Sequence, residues 1–114
     1  MRRLLWFCGM LLASPVVSAE LSCEGTNPEW HLDLNGETAR FVFPAATDMD
    51  VMLETVAEGR DWPIAFTLIG ARDTAILLVE QQHCGPQSAP YRARIMTQRV
   101  QTPILLVGCC DAAG

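Results

Sequence analysis

Trp30-His31-Leu32-Asp33-Leu34-Asn35-Gly36-Glu37-Thr38-Ala39-Arg40-Phe41-Val42-Phe43 alternates apolar and polar side chains on both sides of an Asn-Gly step. Alternation with period two marks a strand with one buried face, and Asn-Gly is the preferred pair for a two-residue type I′ turn, whose central residues both need positive φ. With Asn35 and Gly36 as the loop, Leu34 stands opposite Glu37, Leu32 opposite Ala39 and Trp30 opposite Phe41. Trp30, Leu32, Ala39, Phe41 and Phe43 then share an apolar face, and His31, Asp33, Thr38 and Arg40 a polar one. The expectation is an antiparallel hairpin that lays its aromatic side against a core.

Downstream, Pro44 ends the second strand and Thr47-Asp48-Met49-Asp50 reads as an acidic loop. Val51 to Glu58 carries two patterns: Val51, Leu53 and Thr55 alternate as in a strand, while Met52, Leu53, Glu54 and Ala57 are good helix formers. It is read as a strand, with a helix as the alternative. After Gly59-Arg60-Asp61, the residues Ile64, Phe66 and Leu68 alternate with Ala65, Thr67 and Ile69. Ala75-Ile76-Leu77-Leu78-Val79 is apolar on both faces, which suits a strand covered on both sides. Glu80 to Pro90 reads as a long polar loop around Cys84-Gly85-Pro86. In Tyr91 to Thr97, Tyr91, Ala93 and Ile95 point inward and Arg92 and Arg94 outward, and Ile104 to Val107 leads into Gly108-Cys109-Cys110. Regularly spaced short strands predict an all-β domain, a small antiparallel barrel or sandwich.

The N-terminus decides how the cysteines are interpreted. Arg2 and Arg3, the apolar run Leu4 to Leu12 and the small residues Val17-Ser18-Ala19 before Glu20 have the form of a secretory signal, so residues 1–19 are expected to be removed and 20–114 to form one exported domain. A twin-arginine signal fits the strongly apolar run less well, and Glu20-Leu21-Ser22 before Cys23 suits a lipid-attachment box poorly. No second apolar segment reaches the ~18 residues of a membrane helix. In an oxidising, periplasmic setting Cys23, Cys84, Cys109 and Cys110 are expected in two disulfides. Neighbours in a strand point to opposite faces, so Cys109 and Cys110 take Cys23 and Cys84 as partners, in either assignment.

Loss of residues 1–19 removes two arginines and no acidic residue, leaving 6 basic and 13 acidic side chains and moving the net charge from −5 to −7. An acidic surface without lysine argues against nucleic acid or an anionic membrane as partner. A domain this small is marginal on its core alone, and covalent closure compensates.

Each chemistry-bearing group has a plain reading beside a sharper one. His83, Cys84, Cys109 and Cys110 could converge on Cu(I) or Zn if the thiols were reduced, a soft-metal or thiol-redox alternative, although His-Cys adjacency matches no standard ligand spacing. His31, near Arg40 across the hairpin and two residues from Asp33, could act as a general base in a hydrolase, but no nucleophile is evident and a solvated histidine is expected. Asp48 and Asp50 lack the glycine and distal glutamate of a calcium loop. Arg92, Arg94 and Arg99 could gather an anion, and an outer face paired with acidic neighbours is the simpler reading. Trp30 and Trp62 are expected as core anchors. No phosphate loop, nucleophile elbow or zinc-protease helix occurs.

Cys23-Glu24-Gly25-Thr26-Asn27-Pro28-Glu29-Trp30, followed by Cys84, Tyr91 and Gly108-Cys109-Cys110 in order, resembles a family of bacterial periplasmic proteins and lipoproteins without an established activity. Its members carry a Cys-x-Gly-Thr-Glu-Pro-Phe-Trp opening, a central cysteine followed by Asp-Gly-Met-Ser-Asp and a Tyr-Pro strand, and a terminal Gly-Cys-Cys. Asn27, Glu29 and Gly85 to Ala89 depart from that pattern, so a function of the acidic loop in relatives would be lost or altered here. The resemblance implies export, disulfides and a small β fold. The expected protein is a non-enzymatic, monomeric envelope protein without cofactor, a binding module or inhibitor-like domain for a periplasmic protein or small ligand, a cell-wall-degrading enzyme being one such partner by analogy.

Overall fold

Period-two patterning carries nearly the whole described chain into one antiparallel sheet closed on itself. A computed structural model describes residues 20–99 and 102–112. The strands are β1 (Glu20–Gly25), β2 (Trp30–Asn35), β3 (Thr38–Val42), β4 (Ala46–Val56), β5 (Ile64–Gly70), β6 (Thr74–Cys84), β7 (Ala89–Arg99) and β8 (Thr102–Ala112). Each pairs with its sequence neighbour, and β1 pairs with β8 to complete a closed barrel. The expected all-β class is thus a barrel, not a sandwich. Residues 1–19, read as a secretory signal, lie outside the described residues. Among the described residues no helix is long and apolar enough to cross a membrane.

The inward positions fill the lumen. Trp30, Leu32, Leu34, Phe41, Leu68, Leu77, Val79 and Ile95 are buried, and burial of each such side chain is worth about 1.5–3 kcal/mol. Trp30 meets Phe41 edge to face and Phe41 stacks on Phe43. Trp62, half-buried in the β4–β5 connection, lies against Tyr91 with centroids 5.2 Å apart. Among the described residues Thr97 is the buried polar side chain, and its Oγ1 donates to the Thr74 carbonyl at 3.0 Å.

The first hairpin keeps its expected faces and changes its register. Asn35 pairs with Thr38, Leu34 with Ala39 and Leu32 with Phe41, so the loop is Gly36-Glu37. Gly36 has φ 69° and Asn35 stays in the strand. A turn with positive φ only at its first central residue has the form of type II′, where glycine is preferred, and this takes precedence over the Asn-Gly rule. Each strand slides by one residue, two in total, and because side chains alternate with period two the apolar face remains inside.

Three further expectations are corrected. Thr47 to Asp50 belongs to β4, where Met49 is buried and Asp48 and Asp50 point out; the acidic residues masked an ordinary strand alternation. β4 continues through Val51 to Val56, with a bulge at Met52, so the strand reading of that segment holds and the helix does not. Glu80 to Pro90 is mostly strand, and only 85–88 form the turn. Cys84 is covalently tied to β8, which anchors polar strand ends that hydrophobicity alone would not hold. Finally, β6 is covered on its inner face alone, where its Ala75, Leu77 and Val79 are buried, whereas Ile76 on its outer face is 46% exposed.

Candidate binding cleft at the closing disulfides

Successive residues of β8 face opposite sides, and this assigns the two cysteine neighbours. Cys110 points inward and lies directly opposite Cys23 on β1, to which it is bonded; both are buried. Cys109 points outward and bonds Cys84 at the foot of the β6–β7 turn. The bonds close sequence separations of 87 and 25 residues.

The same seam is packed without spare room. Trp30 Nε1 donates to the Val107 carbonyl at 3.0 Å. A Cβ on Gly25 would collide with the Trp30 indole and that carbonyl, and a Cβ on Gly108 would collide with the Glu24 carbonyl. Cys23, Gly25 and Trp30 from one end of the chain therefore meet Gly108, Cys109 and Cys110 from the other. Both glycines stand in the motifs that carry the resemblance, Cys23-Glu24-Gly25 and Gly108-Cys109-Cys110, but the close packing that requires them had no signal in the sequence.

Outside the seam lies a cleft of about 600 Å³. The Cys84–Cys109 bond is part of its lining, Glu24 and Asp111 supply carboxylates, and Gln87 comes from the exposed turn 85–88. Gly85 and Ser88 have φ of 78° and 53°, and Ser88 N–H donates to Gly85 O at 3.1 Å, so the turn is tight. An apolar disulfide beside two carboxylates suits a ligand with apolar and cationic parts.

The remaining sequence candidates are scattered. His31 does not face Arg40, as the expected register had it. Its Nε2 lies 3.0 Å from Asp33 and its Nδ1 3.8 Å from Glu24, so both ring nitrogens face carboxylates. Arg40 instead pairs with Asp48 at 3.1 Å. Arg94 pairs with Glu80 at 2.9 Å, while Arg92 Nε is buried without a hydrogen-bond partner among the described residues. The Arg99 side chain lies outside the described residues. His83 is exposed. Both sulfur pairs are oxidised and offer no thiolate to a soft metal, and among the described residues no group of three or more His, Cys, Asp or Glu side chains gathers to hold an ion. No family model, no curated protein and no solved structure matches this chain.

Proposed function

We propose that this chain is an exported, non-enzymatic envelope protein that binds a basic protein or peptide segment in the cleft beside Cys84–Cys109, as an inhibitor-like domain. The observation that carries the reading is the β6–β7 turn, clamped at its foot by a disulfide and bordered by a concave, acidic-rimmed cleft. A rigid turn loses little freedom on binding, so more of the contact energy is kept as affinity. One disulfide across the closing seam and a second from β6 to β8 fit an oxidising compartment such as the periplasm. Kinship with the periplasmic family rests on the pattern of Cys23, Gly25, Trp30 and Gly108-Cys109-Cys110 in the sequence, and that resemblance is the source of the envelope location proposed here.

Secreted cell-wall hydrolases with basic surfaces are the partner class to test. Calorimetric titration of the purified protein against basic and acidic hydrolases should give binding to a basic one, weakened by Glu24→Gln combined with Asp111→Asn. Absence of binding to every basic hydrolase, or binding indifferent to the rim substitutions, would rule the reading out.

A further inference from the structure

The outer surface of the barrel has two unlike halves. On β2–β4 it carries Asp33, Arg40, Asp48 and Asp50. From β4 to β8 it carries an apolar row: Leu53 pairs with Thr67, Thr67 with Ile76, Ile76 with Met96 and Met96 with Leu105. Leu53, Ile76, Met96 and Leu105 are 61, 46, 49 and 64% exposed, and Ile69 and Val107 beside them are also exposed. At strand spacings of about 4.8 Å the row runs roughly 19 Å around the outside of the barrel, with Ile76 and Met96 at its middle. Its apolar exposed area is on the order of 500 Å², at the upper end of what a monomer leaves open.

We infer that this face docks on the same face of a second copy, about a two-fold axis running along the strands between β6 and β7. The core segment of β6 is apolar on both sides, and a single barrel covers only one of them; such a strand calls for a second layer. The patch is self-complementary about that axis. Ile76 meets Met96 of the second copy and Glu80 meets Arg92, the register partners on the two strands that flank the axis, so the charges at the edge pair with opposite sign, while β5 and β8 curve away on either side. The carboxylates of β2–β4 stay on the far side, where the net negative charge does not oppose contact. A stable pair buries about 800 Å² on each partner. Ile76 and Met96 supply the centre, flanked by the apolar residues of the neighbouring strands, and Thr74, Gln98 and the Glu80–Arg94 pair supply a polar rim of the usual kind. The chain is then a homodimer in place of the monomer expected from its sequence.

Sedimentation velocity on the protein purified after expression of the full chain tests this. The wild type should sediment with twice the mass of one chain. Ile76→Lys and Met96→Glu should each raise the dissociation constant about 30-fold or more, with far-ultraviolet circular dichroism unchanged. An equimolar mixture of the two variants should regain the dimer, because the introduced charges face each other across the axis. A wild type that stays monomeric up to its solubility limit overturns the inference, as does a dimer untouched by both folded variants. Flotation of a monomeric wild type with phosphatidylcholine vesicles would assign the face to lipid and overturn it too.

Discussion

The indole of Trp30 lies against the bare face of Gly108: a Cβ there would sit 2.8 Å from the ring atom Cζ2 and closer still to the Glu24 carbonyl. Strand β8 can approach β1 and β2 only because position 108 is bare, and the closeness lets Trp30 Nε1 reach the Val107 carbonyl. Gly108→Ala must displace the Glu24 backbone or the ring, and overpacking of this kind costs about 1–3 kcal/mol. A urea unfolding midpoint lowered accordingly is expected; an unchanged midpoint would mean the seam yields freely.

The two disulfides should differ in response to reductant. Cys23–Cys110 is enclosed by the core, whereas Cys109 is half-buried at the cleft wall. Under limiting dithiothreitol with trapping by alkylation, Cys84 and Cys109 should label first. Loop entropy assigns about 4.6 kcal/mol to the 87-residue closure and about 3.5 kcal/mol to the 25-residue one, each taken alone. Paired replacement of Cys23 and Cys110 should therefore lower stability more than Cys84→Ser with Cys109→Ser. The latter pair should keep the barrel and weaken binding at the cleft. Equal labelling rates would contradict the difference in shielding.

Thr97→Val keeps the shape of the side chain and removes its hydrogen bond to Thr74. The expected loss is about 1 kcal/mol in chemical denaturation. A stabilised variant would show that the hydroxyl is a net cost at that site.

Surface ion pairs should matter little. Arg40 and Asp48 are 59% and 82% exposed, so Arg40→Ala should change stability by less than about 1 kcal/mol. Thermal melts at low and high salt check this, and a large salt-sensitive loss would place the pair in a wider charge network.

Several features of the candidate site can be read along the chain. The inward residues of β2, β3, β5 and β7 are all given by alternation, and the opposed directions of Cys109 and Cys110 follow from their adjacency. The acidic run at 47–50 and the polar run at 80–90 mislead because composition reports what faces solvent, and an outer strand face is as polar as a loop. The cleft was not legible at all, since its walls come from β1, the β6–β7 turn and β8, which no local pattern connects.

Sequence by itself settled which side chains face the core, because a strand alternates with period two whatever its neighbours do, and a register slide of two residues leaves those faces intact. It also settled that two adjacent cysteines must seek separate partners. Only the tertiary structure decided that Cys110 takes Cys23 and Cys109 takes Cys84, that the sheet closes as a barrel, and that Ile76 and Met96 are left uncovered. Those outcomes depend on which strands meet across the seam, and that is set by packing between residues far apart in the chain.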